Sequence, residues 1–217
     1  MAKSDRKGNK RSRQSFRNQK KRLGYYLIVT DTKATERVYF QGLYNSLPGT
    51  VKGNQLVIKI VKAKKTEALI DECKTQLNND PQIRDPWIVF DKDSVPNFDK
   101  IIDQAERQGI SVGWSNPCVE IWFEAYYGKM NTYISPKNCC RGFANTFQRK
   151  TNREYDKSDE KIYTFLVETG DEEQAIQIAK QRHQAYIDNE IKHPSEMNPC
   201  TTLYKLVKEI HQKAQSN

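Results

Sequence analysis

Four short apolar runs, separated by segments of helical periodicity, leave this chain few folds to choose from. Tyr25-Tyr26-Leu27-Ile28-Val29-Thr30 is nearly continuous in apolar character over the length of a strand, as expected for a strand covered on both faces. Residues 55–61, Trp87 to Phe90 after Pro86, and Ile110 to Trp114 repeat the pattern. Between them, residues 34–46 set Val38, Tyr39, Phe40, Leu43 and Leu47 on a broad apolar face, with Thr35 suited to cap the start. Residues 65–78 group Ala68, Leu69, Cys73 and Leu77, and residues 98–108 turn Ile101, Ile102 and Ala105 inward before Gly109, a C-cap signal. The order β-α-β-α-β-α-β predicts a parallel sheet with helices on both faces, because parallel neighbours need a crossover and the crossover is right-handed. Beyond residue 115 the pattern is helical, over 117–127, 137–148, 170–190 and 199–214, with 159–167 readable as helix or strand.

Two of the apolar runs end in acids: Asp31 follows the first and Asp91-Lys92-Asp93 the third. In an open parallel sheet, ligands gather outside the carboxyl ends of the strands, so Asp31, Asp91 and Asp93 are expected to converge there. Residues i and i+2 of a strand share a face, which would aim both acids of the D-x-D the same way. Oxygen-rich, charge-dense sites suit Mg²⁺ or Mn²⁺. The plainer alternative for Asp93, before Ser94 and Pro96, is a turn residue bonded to its own backbone. Glu36 is either a further site carboxylate or an acid favoured by the helix N-terminus. Glu120 follows the fourth run by a turn of helix, on the same expected edge. Lys33 and Lys92, interleaved with the acids, contact substrate phosphate or balance the local charge.

Asn116-Pro117 and Asn198-Pro199 read as helix starts, Asn capping and Pro in the first turn. His183, His193 and His211 make no metal-binding spacing, and His183 and His211 read as solvated helix residues. Cys73, Cys118, Cys139, Cys140 and Cys200 contain no C-x-x-C, and the adjacent Cys139-Cys140 suits neither a zinc site nor an ordinary disulfide. Free, mostly buried thiols are expected. No serine-hydrolase elbow, Walker loop or dinucleotide fingerprint is present.

The net charge of +9 is concentrated rather than spread. Residues 1–22 hold ten Lys or Arg against Asp5; without them the chain has 26 bases and 26 acids. That segment has no apolar face to bury, so it reads as a disordered basic tail ahead of one domain over residues 23–217. Arg11, Arg13, Arg17, Lys20, Lys21 and Arg22 are its candidate nucleic-acid contacts, giving salt-dependent, sequence-independent affinity. With no secretory or transit pattern and no run near the ~20 apolar residues of a membrane span, a soluble cytoplasmic protein is expected.

The elements L-I-V-T-D-T-K-A-T-E-x-x-Y-F, I-V-F-D-K-D, S-N-P-C-V-E-I-W and N-P-C-T-T-L-Y-K-L-V resemble, in sequence and order, the RloB family of bacterial defence proteins over about residues 25–210. The resemblance implies a Toprim-like α/β core in which Asp31, Asp91 and Asp93 bind a divalent metal. It places Glu36, Asn116 and Glu120 at further motif positions near the site. It also implies kinship with nuclease-like partners of ABC-type or overcoming-lysogenization-defect-type ATPases in abortive infection. The family usually carries T-E-G-E-K-T-E where this chain has Thr30-Asp31-Thr32-Lys33-Ala34-Thr35-Glu36. A shorter carboxylate, a lost glycine and Lys33 in place of an acid imply metal affinity or activity that is weakened, shifted toward Mn²⁺ or lost, since Mg²⁺ tolerates little departure from an octahedral shell.

The function expected from these readings is metal-dependent phosphodiester cleavage of RNA, tRNA in particular, or of DNA, in antiphage defence. An ATPase partner and a homo-oligomer are both compatible with it. The alternative is a non-catalytic nucleic-acid-binding or ATPase-regulating subunit with a degraded metal site.

Overall fold

The computed structural model describes residues 24–31, 35–53, 56–93 and 95–215. The expected disordered tail, with its arginines and lysines, and Lys33 lie outside the described residues. Strands β1 (Gly24–Thr30), β2 (Leu56–Lys62), β3 (Asp85–Asp91) and β4 (Ser111–Asn116) pair in parallel in the order β2-β1-β3-β4. Helices α1 (Thr35–Ser46), α2 (Leu69–Asn79) and α3 (Phe98–Glu106) are the crossovers. The predicted alternation and its helical C-terminal half are therefore present, the latter as α4 (Glu120–Ala125), α5 (Pro136–Thr151), α6 (Ile162–Thr169), α7 (Glu172–Asp188) and α8 (Leu203–Gln215).

Strand period divides the core in two. Tyr26, Ile28, Trp87 and Val89 face α1, α4, α6 and α8, while Tyr25, Leu27, Val29, Ile88, Phe90, Val112 and Trp114 face α2 and α3. Every residue of β1 is buried, as expected for a strand with partners on each side and helices above and below. Because β1, β3 and β4 are adjacent and co-directional, with Thr30 level with Val89 and Asp91 level with Ser115, their carboxyl ends form one edge.

One strand escapes the sequence pattern. Cys200–Thr201 forms β5, antiparallel to the end of β4, in a stretch read above as the opening of a helix. Side chains fix it: Trp114 N–H donates to Thr202 Oγ1 at 3.0 Å and Thr201 Oγ1 donates to Trp114 O at 2.9 Å. Covering the β4 edge this way satisfies backbone groups that would otherwise be exposed. The solvated reading of two histidines is also corrected: His211 Nε2 lies 2.7 Å from Glu172 Oε2, and His183 is half-buried, bonded at 3.1 Å to Tyr204 Oη.

Gly42 allows the close approach of α1 and α6, since a Cβ there would sit 2.6 Å from Tyr163 Cβ. Overpacking costs about 1–3 kcal/mol and alanine recovers up to about 1 kcal/mol of helix propensity. Gly42→Ala is thus expected to lower the Tm by a few degrees, at about 2–4 °C per kcal/mol for a chain of this size. An unchanged Tm would mean that α6 yields without cost.

Candidate active site

The carboxyl edge of the sheet gathers acids from four elements. Asp31 follows β1, Glu36 sits in the first turn of α1, Asp91 ends β3, and Glu120 opens α4. Glu36 and Glu120 are essentially without solvent exposure, at 1% and 0%. Burial pushes the Asp91 carboxyl well above the usual carboxylate range, and the charges of Glu36, Glu120 and Asp31 push it further. Against them, the Val119 N–H donates to Asp91 Oδ2 at 3.0 Å. That bond ties the acid at the end of β3 to the start of α4, where a negative charge is favoured by the helix dipole.

Asp93 is placed by something other than strand alternation. The strand ends at Asp91, and Asp93 is an exposed turn residue with φ +26°, its N–H donating to Pro117 O at 3.0 Å. An aspartate tolerates this left-handed conformation better than most residues. The shared-face expectation for the D-x-D is therefore replaced by a turn. Its charge still bears on Asp31, whose carboxyl is raised chiefly by burial and additionally by Asp93. Lys92, between the two acids, is half-buried, its backbone N–H donating to Ser115 O at 2.8 Å.

Asn116 and Asn198 are positioning residues rather than helix caps. A cap needs a side-chain acceptor for backbone N–H groups, yet Asn116 ends β4 and its Nδ2 donates to Pro194 O and Ser195 O, each at 3.1 Å. Asn198 precedes β5, and its Nδ2 donates to Tyr133 O at 2.9 Å. Both asparagines precede cis prolines, and the helices that follow start only at Glu120 and Leu203.

Three groups around the acids have no local sequence signal. Thr66 Oγ1 donates to Asp31 Oδ2. Lys157 Nζ lies 3.0 Å from Glu120 Oε1, and Tyr155 Oη donates to that oxygen at 3.1 Å. Burial raises the Glu120 carboxyl, but Lys157 and the neighbouring thiols of Cys118 and Cys140 outweigh it and hold the group below the usual range. Only long-range contact brings residues 155 and 157 to Glu120. The Cys118 thiol was visible in the S-N-P-C-x-E element, but its partner Cys140 was not.

Among the described residues, the group of side chains whose ligand atoms all lie within 4.8 Å of one another is Cys118, Glu120 and Cys140 rather than the aspartates; what the aspartate edge offers a hard cation is its oxygens. Asp31 Oδ1 and Glu120 Oε2 are buried without a hydrogen-bond partner, an arrangement that costs free energy unless something positive meets them. All five acids offer oxygen alone, the preference of Mg²⁺ and Mn²⁺. A bound cation would also reverse the mutual repulsion that raises Asp91.

No helix among the described residues is long and apolar enough to cross a membrane. Comparison with curated proteins finds no match. The family model for the RloB-like protein matches residues 26–210, from within β1 to the middle of α8 and across every acid of the site. The chain belongs to the RloB-like family.

Proposed function

We propose that the acid cluster is the metal site of a Toprim-like nuclease, cleaving phosphodiester bonds of RNA or DNA as an effector of antiphage defence. The observation that carries this reading is the mutual pressure among Asp31, Glu36, Asp91 and Glu120 at the carboxyl edge of a parallel sheet, with two buried oxygens unpartnered. Buried acids are normally paired, and carboxylates crowded at the edge of a sheet are an arrangement that functional sites use, which supports the reading.

Asp91, Asp31 and Asp93 are the proposed ligands. Mg²⁺ or Mn²⁺ held there supplies charge neutralisation at the scissile phosphate and a water of lowered pKa. Glu36, buried at the start of α1, orients or deprotonates that water. Glu120, held ionised by Lys157, keeps negative charge beside Asp91 so that the cation is retained. Lys92 steers the phosphate backbone toward the edge. The basic segment of residues 1–22 adds affinity without sequence preference. An ATPase partner and a homo-oligomer belong to the same proposal.

The test is cleavage of labelled tRNA, unstructured RNA and DNA by the full chain in chelator, Mg²⁺ and Mn²⁺. Cleavage of at least one substrate with metal and none in chelator is expected. Activity in Mn²⁺ should equal or exceed that in Mg²⁺, because the shorter Asp31 arm disfavours the stricter ion. Nucleic-acid binding with no cleavage under any metal would favour the non-catalytic alternative.

A further inference from the structure

Beside the all-oxygen cluster lies a second donor set of different softness. Cys118, in the β4–α4 connection, and Cys140, in α5, bring their sulfurs together with a Glu120 carboxylate oxygen, all within 4.8 Å of one another. The Cys118 thiol donates to Pro136 O at 3.8 Å, at the start of α5. Cys118 and Glu120 are buried, and Cys140 is half-buried. Glu120 is fully covered and its Oε2 has no hydrogen-bond partner. Both thiols face this carboxylate and, with Lys157, hold it below the usual range against its burial. The five cysteines are free and mostly buried, as expected, and the two sulfurs that meet come from Cys118 and Cys140 across the fold rather than from the adjacent pair.

We infer that Cys118, Glu120 and Cys140 form a binding site for a borderline-soft divalent cation of the Zn²⁺ class, which shares Glu120 with the oxygen cluster around Asp91 and draws its two sulfurs from outside it. Tetrahedral zinc with sulfur at about 2.3 Å and oxygen at about 2.0–2.2 Å needs ligand atoms roughly 3.5–3.8 Å apart. The three atoms are therefore within about 1.3 Å of the required spacing. Two sulfurs exclude Mg²⁺ by softness and favour Zn²⁺ or Co²⁺. Three protein ligands is also the number that leaves a position for water or an exchanging group. Lys157 covers the mouth of the site, 3.0 Å from Glu120 Oε1, with its side chain 56% exposed. It leaves toward solvent when the cation enters.

The experiment uses the full chain and two readings. Co²⁺ added to wild type should give the near-ultraviolet thiolate-to-cobalt band at one ion per chain; its absence overturns the proposal with no mutation involved. In Zn²⁺ competition against a chromophoric chelator, Cys118→Ser and Cys140→Ser should each lose at least about 100-fold in affinity, the upper end of what outer-shell changes cost. Lys157→Met should gain affinity because a competing charge is gone. Asp93→Asn should weaken Mn²⁺ binding while leaving the Zn²⁺ affinity within about twofold, which separates failure of this site from failure of the oxygen cluster. Zn²⁺ affinity unchanged in both serine variants overturns the assignment.

Discussion

Asp91→Asn should abolish metal-dependent cleavage and, without metal, make the protein more stable. The loss follows from the site: a ligand to a cation that contributes several kcal/mol of transition-state stabilisation is worth at least about 100-fold in rate. The gain follows from burial and from the charges of Glu36, Glu120 and Asp31, which raise the Asp91 carboxyl well above its ordinary value. A group whose folded pKa is raised contributes its stability below the unfolded value of about 3.9, and loses it as pH rises through the folded value. The contribution of Asp91 to wild-type stability therefore falls toward neutral pH. The variant escapes that loss, while its side-chain amide oxygen still accepts from the Val119 N–H. Thermal melts from pH 4 to pH 8 in chelator should show the variant pulling ahead as pH rises. Saturating Mn²⁺ should reverse the order, because only wild type gains much from a ligand bound to the native state. A variant less stable than wild type at every pH would mean that Asp91 is structural.

Lys157→Met should cost stability at neutral pH and little in acid. Glu120 is fully buried while Lys157 is 56% exposed, so the pair is buried at one end only. Breaking a fully buried pair costs about 3–5 kcal/mol; with one partner in water, a loss of about 1–3 kcal/mol is expected. In wild type the Glu120 carboxyl is held below the usual range although burial opposes this. Its contribution is present above the unfolded value of about 4.3 and disappears as pH falls through the folded value. Without Lys157 burial dominates and the carboxyl is raised. The deficit of the variant should therefore be large at pH 7 and shrink below about pH 4. Tyr155 still donates to Glu120 Oε1, which limits the loss. A deficit independent of pH would point to lost packing of the lysine stem instead.

The sequence disclosed those features that depend on chain-local pattern. The apolar runs of β1 and β3 and the periodic faces of α1 and α3 fixed the parallel sheet, and a parallel sheet places Asp31 and Asp91 at one edge without further information. Asp93 arrived near Asp31 for another reason, a turn that Pro117 O anchors. β5 stayed hidden because two residues carry no period, and its register is written in Thr201 and Thr202 hydroxyls that meet Trp114 some 88 positions away. The Asn-Pro pairs misled because the residues that favour a helix cap also serve where a strand turns away and an amide must reach distant carbonyls. Lys157, Tyr155 and Thr66 were illegible for the same reason: each meets its acid across at least 35 positions. Cys140 is invisible as a partner of Glu120 until α5 is folded against α4.

The most direct test of the oxygen cluster is Mn²⁺ binding to metal-free protein, measured by titration calorimetry and the loss of the free-ion paramagnetic signal, for wild type, Asp31→Ala, Asp91→Asn and Asp93→Ala. One or two ions per wild-type chain are expected, with affinity reduced at least about tenfold in each variant, as for loss of a ligand or of its immediate support. Equal Mn²⁺ affinity in all four proteins would contradict a metal site built from Asp31, Asp91 and Asp93.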